Sequence, residues 1–149
     1  MASTEVFDHD DMPRAERVVA GDVADVYATL EALDRWSSWV TSVALRVQVV
    51  EADRYDVTWV GDGVVNNRQV AVITRGPTHT LAFDVSGRWR LHFRTRPDRD
   101  GTRVEVVAEP VKPSRWTRFR NRRHFKDYST RLRSLLDQLA ARVEPGASG

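Results

Sequence analysis

Residues 114–143 hold no glycine and no proline, and their apolar positions Phe125, Tyr128, Leu132, Leu135, Leu136, Leu139 and Val143 recur at steps of three and four. That spacing lays one apolar stripe along a helix. Ser114, after Pro113, is a suitable N-cap, and Pro145-Gly146 stops the helix. At about 1.5 Å per residue the helix spans about 45 Å, against about 20 Å for an ordinary strand. A helix of this length can lie across a whole sheet, and the strands decide what it covers.

Upstream the period is two. Val43, Leu45, Val47 and Val49 alternate; Tyr55, Val57 and Trp59 follow and end at Gly61-Asp62-Gly63. Residues 64–74 predict a fourth strand. Thr80–Ser86 predicts a fifth (Leu81, Phe83, Val85), and Arg88–Arg96 a sixth (Trp89, Leu91, Phe93). The loop Pro97–Gly101 leads into a seventh with Val104, Val106 and Ala108. Short turns between consecutive strands imply an antiparallel meander. Before it, Arg17-Val18-Val19 suits a first strand, and Asp22 caps a short helix carrying Val23, Val26, Tyr27, Leu30 and Leu33. Asp34 is expected to cap a second short piece with Trp36, Trp39 and Val40. The expected class is α+β: a seven-stranded antiparallel sheet, two short helices between strands 1 and 2, and a long C-terminal helix. Residues 1–11 are expected to form a disordered acidic leader, 12–143 one domain and 144–149 a flexible tail.

The chain has no cysteine, which removes disulfides, thiolate metal sites and thiol catalysis. No apolar run approaches a membrane span and no signal peptide is evident, so a cytoplasmic protein is expected. The net charge of +2 conceals a split. Residues 1–31 are acidic, relieved only by Arg14 and Arg17, whereas Lys112–Arg133 is strongly basic. His9, His79, His92 and His124 form no metal-ligand spacing, His92 being expected on the outer sheet face. No glycine-rich phosphate loop exists, so neither metal nor cofactor is expected.

The order of elements resembles the START-like helix-grip superfamily, within it the bacterial polyketide cyclase/dehydrase and lipid-transfer branch (SRPBCC-type). The resemblance rests on Asp22–Leu30 leading to Asp34-Arg35-Trp36-Ser37-Ser38-Trp39, and on the hairpin Asp100-Gly101-Thr102-Arg103-Val104. It covers residues 12–143. It implies a curved sheet gripping the C-terminal helix, with a cavity for a hydrophobic small molecule such as a polyketide or lipid. The protein would serve as a carrier or as a cyclase-like enzyme, and the residues leave both open. Cyclases of this branch usually carry an arginine near the far end of the fourth strand. Here that end reads Ala71-Val72-Ile73-Thr74, with Arg68 earlier and Arg75 expected in the turn. The inner helix face, Tyr128, Leu132, Leu135, Leu136 and Leu139, is apolar.

The fourth strand carries four consecutive polar residues, Asn66-Asn67-Arg68-Gln69. With Asp62-Gly63 as a two-residue type I′ turn, Trp59 pairs with Asn66, Val57 with Arg68 and Tyr55 with Val70. Arg68 and Asn66 then share the inner face with the aromatic residues and become the catalytic candidates, the arginine polarising a carbonyl. A three-residue turn would instead put Asn67 and Gln69 inside. The first register is the one adopted. The expected lining is Trp36, Trp39, Tyr55, Val57, Trp59, Val70, Leu81, Phe83, Trp89, Leu91, Phe93, Tyr128 and Leu132. The alternative function is a non-enzymatic module whose segment Arg115–Lys126 docks on an anionic membrane or acidic protein. Nucleic acid is the less favoured partner, for want of an RNA-binding motif. The expected state is a monomer or homodimer.

Overall fold

The structure, a computed structural model, describes residue 7 and residues 12–41, 44–60, 67–76, 80–85, 89–110 and 115–144. Side chains are described for these except at 44, 59, 60, 67–69, 84, 85, 89, 110 and 115–128. The elements are β1 (Arg14–Val19), α1 (Val23–Glu31), a 3₁₀ helix (Leu33–Ser38), β2 (Ala44–Glu51), β3 (Arg54–Val60), β4 (Asn67–Gly76), β5 (Thr80–Val85), β6 (Trp89–Asp98), β7 (Gly101–Pro110) and α2 (Arg115–Val143). All seven strands form one antiparallel sheet in the order β1-β7-β6-β5-β4-β3-β2. The meander therefore closes by laying β1 against β7. This is the expected helix-grip arrangement. Among the described residues no helix is long and apolar enough to cross a membrane.

The capping that predicted α1 is present, with the Asp22 carboxylate accepting from the Asp25 N–H at 2.9 Å. The 3₁₀ helix starts at Leu33 without a side-chain cap, so Asp34 lies inside it rather than capping it. Ser114 and Pro145-Gly146 lie outside the described residues.

One sheet face is the core. Tyr55, Val57, Ala71, Ile73, Leu81, Phe83, Phe93, Val104, Val106 and Ala108 are buried there with Leu132, Leu136, Leu139 and Ala140 of α2. Alternation along each strand puts these on a single face. The helix also finishes the β1 edge. Ser129 Oγ accepts the Arg14 N–H at 3.3 Å, and Glu144 Oε2 accepts the Ala20 N–H at 3.1 Å. Two N–H groups at this side of the sheet thus find side-chain acceptors, as edge donors must.

Two further expectations change. The Pro97–Gly101 loop is instead a two-residue turn, Arg99-Asp100, because Asp98 already pairs with Gly101 and Pro97 with Thr102. Past Arg94, β6 pairs among the described residues only with β7, where a proline costs least. Arg75 lies within β4, paired with Leu81, and not in a turn. In the leader, Phe7 is the described residue and is buried on the outer sheet face with Val107, beside Met12. Its carbonyl accepts from the Arg14 guanidinium at 3.0 Å.

Candidate functional site

The β3–β4 register decides which polar residues can meet the interior. Trp59 stands opposite Asn67, Thr58 opposite Arg68, Val57 opposite Gln69, and Tyr55 opposite Ala71. The pairing therefore departs from the register built on the two-residue turn and has the parity of the alternative. Asn67 and Gln69 occupy the positions in line with buried Ala71 and Ile73. Arg68 takes the alternate parity, in line with Val70 and with Val72, which is exposed. Val70, opposite Asp56, is likewise removed from the inner lining. The physical cause is parity: one residue more in the connection exchanges the two faces of the strand. Asn66 lies outside the described residues, and so do the Arg68, Asn67 and Gln69 side chains.

Of the expected lining, Trp36, Trp39, Tyr55, Val57, Leu81, Phe83, Phe93 and Leu132 come together in one buried cluster, with Leu91 partly buried against it. Trp59 and Trp89 hold register positions of that face, opposite Leu45 and Val85 respectively, and their side chains and that of Tyr128 lie outside the described residues. The centre of the cluster is aromatic. The Trp36 ring meets Phe83 edge-on at 5.1 Å and Phe93 at 6.1 Å, and the two phenylalanines meet at 5.6 Å. Edge-to-face pairs at such separations add to simple burial. Trp39 leans on Trp36 at 5.2 Å.

Two polar groups of the cluster's own aromatic residues are donors at neutral pH. The Trp36 N–H donates to Leu30 O at 3.0 Å. Burial, followed by the charges of Asp34 and Asp53, pushes the Tyr55 hydroxyl above its ordinary pKa, so at neutral pH it is a donor and not a base. Nearby, Arg75 donates through Nε to Glu31 Oε2 at 2.6 Å and lies 2.7 Å through NH1 from Asp53 Oδ2. These pairs tie α1, the β2–β3 turn and β4 together. The sequence does not announce them, because it places Arg75 in a turn.

In the described part of α2 the buried face is apolar, formed by Leu132, Leu136, Leu139 and Ala140. Among the described residues no group of histidine, cysteine, aspartate and glutamate could hold a metal ion.

No protein-family profile matches the chain, and no curated protein matches it by sequence. Solved structures match it clearly in fold. TTHA0849 from Thermus thermophilus superposes with a TM-score of 0.67 at 22% identity, covering 87% of this chain and 94% of that one. A START superfamily protein from Mycobacterium smegmatis gives 0.65 at 10% identity, over 89% and 96% of the two chains. The di-domain ARO/CYC StfQ from the steffimycin biosynthetic pathway gives 0.64 at 18% identity, over 99% of this chain and 56% of that one. The chain has the START/SRPBCC-type helix-grip fold.

Proposed function

We propose that the chain binds a hydrophobic small molecule, of polyketide or lipid character, between the inner sheet face and α2. The observation that carries this is the inner face itself. Aromatic and aliphatic side chains from the 3₁₀ helix and β3–β7 converge beneath a helix of 29 residues. Such an interior suits an apolar molecule held in orientation by a few polar groups. The neighbouring folds, which include an ARO/CYC and a START superfamily protein, support the reading.

Carriage fits the described chemistry better than turnover. A cyclase-type step needs a base to take a proton and a donor to polarise a carbonyl. Trp39 and Tyr55 supply donors, and the amides at Asn67 and Gln69 would be neutral. The carboxylates of Glu31 and Asp53 are engaged by Arg75. Native mass spectrometry of the purified protein, with titration of a naphthalene probe, tests the proposal. A co-purified apolar molecule or saturable probe binding is expected. Absence of both would overturn it.

A second reading concerns Arg115–Lys126. The helix begins at Arg115, so this basic segment is helical, and positions 116, 120 and 123 fall opposite Leu136. A basic helix start of this kind would dock on anionic lipid or an acidic protein. Flotation with vesicles containing phosphatidylserine is expected to carry the protein upward at low salt and release it at high salt. Absence of flotation at low salt removes membrane docking.

A further inference from the structure

The two tryptophans at the 3₁₀ helix are equally buried and differently bonded. Trp36 and Trp39 are 7% and 6% exposed and touch one another. The Trp36 N–H has its acceptor in Leu30 O. The Trp39 Nε1 is fully buried and finds no acceptor among the described residues. An indole can only donate, and a buried donor without an acceptor is destabilising. The neighbouring donors have their acceptors. The Trp39 and Val40 backbone N–H groups donate to Trp36 O at 3.0 and 2.7 Å. Thr41 donates through both N–H and hydroxyl to Gln138 Oε1. The unsatisfied donor is therefore one atom and not a loosely packed segment.

We propose that Trp39 is the polar anchor of the binding site, its N–H donating to an oxygen acceptor on an otherwise apolar ligand. This rests on the hydrophobic-ligand reading above and narrows it. The ligand carries a carbonyl, ether or hydroxyl oxygen near one end of its apolar body. A pure hydrocarbon leaves the N–H unsatisfied, and an ammonium offers it nothing. Trp36 takes no part in this selection, because its N–H is committed to the chain.

The test uses two probes of nearly equal shape, 2-acetylnaphthalene and 2-isopropylnaphthalene, on the full chain labelled with ¹⁵N at its five tryptophans. The ketone is expected to bind roughly tenfold tighter, the scale of one buried hydrogen bond gained. It should move the Trp39 indole proton downfield, while the hydrocarbon does not. Trp39→Phe should abolish the preference by weakening the ketone alone, with an unchanged or raised Tm. Trp36→Phe should lower Tm and weaken both probes to a similar degree, so that the ratio between them remains. The indole signal can be assigned in the parent protein by its contacts with Trp36, so the test survives a variant that folds poorly. If both probes bind the parent equally and the indole proton stays still, or if Trp39→Phe keeps the ketone preference, the Trp39 proposal is wrong while ligand binding stands. If neither probe binds the parent, the Trp39 proposal falls, and the hydrophobic-ligand reading falls with it when no apolar molecule co-purifies either.

Discussion

Arg75 on β4 and Glu31 at the end of α1 form a short contact, Nε to Oε2 at 2.6 Å. The same guanidinium reaches Asp53 at 2.7 Å, and these two partners hold its pKa above that of an ordinary arginine. The Arg75 and Glu31 side chains are both more than a third solvent-exposed, so screening limits their pair to about 0.2–1 kcal/mol. Glu31→Gln should lower Tm by no more than about 4 °C for a chain of this size. In 1 M salt the difference from the parent should largely vanish. A drop that persists undiminished in high salt would mean that Glu31 acts through packing.

Two carboxyl groups make folding acid-sensitive. The Asp53 carboxyl is held below its ordinary pKa chiefly by the hydrogen bond from Arg75. That of Asp98 is lowered chiefly by the Asp100 N–H and further by Arg103. A group whose folded pKa is depressed stabilises fully above its unfolded value, about 3.9 for aspartate, and the stabilisation is lost as pH falls through the folded value. Thermal melts should be nearly flat from neutrality to about pH 5 and decline below about pH 4. Asp53→Asn with Asp98→Asn should make that decline shallower. Asparagine tolerates the left-handed backbone at position 53, where φ is 63°, so the change isolates charge. An unaltered acid slope in the double variant would count against both assignments.

Gly101 closes the β6–β7 turn at φ 141°, and a Cβ built there would stand 2.1 Å from Val19 O. The contact is with backbone, which cannot swing aside, and it lies where β1 leaves the sheet beside Thr102, whose hydroxyl donates to Gly21 O at 2.8 Å. Gly101→Ala should therefore cost more than the roughly 1–3 kcal/mol of backbone strain alone, seen as a fall in the denaturation midpoint or loss of soluble protein. A variant as stable as the parent would show that β1 can shift away.

How much of this was legible beforehand depended on period. The alternating strands, the capped α1 and the stripe from Leu132 to Val143 announced the fold, because burial on one face forces a period. The register of β4 was not legible. Asp62-Gly63 is a strong hairpin signal, but Val64-Val65 and the four polar residues after it alternate in no way that pins a face. Arg75 falls just past the 64–74 run that the sequence marks as a strand, whereas β4 runs on to Gly76. The orphan N–H of Trp39 has no sequence signature at all. Trp36 and Trp39 read alike until the acceptor at Leu30 is seen.

Phe7 gave no signal either, being one apolar residue among acids, yet it covers the outer sheet face. Its ring meets His92 edge-on at 6.4 Å, and the Arg94 guanidinium lies 4.4 Å above its centre. Beneath it, His92 Nε2 is 2.9 Å from Glu109 Oε1, and Arg94 forms a two-pronged pair with Glu105. Burying a phenylalanine contributes about 1.5–3 kcal/mol, and a cation over its ring adds about 0.5–1 kcal/mol. Phe7→Ala should lower Tm by several degrees and speed amide exchange along β6 and β7 near His92 and Val107. Because this cover and Trp39 lie on opposite faces of the sheet and share no described partner, their effects should add. Phe7→Ala should therefore leave the affinity for either naphthalene probe unchanged, and combining it with Trp39→Phe should give the sum of the two Tm shifts. A clear departure from additivity would show that the sheet couples its outer cover to the interior.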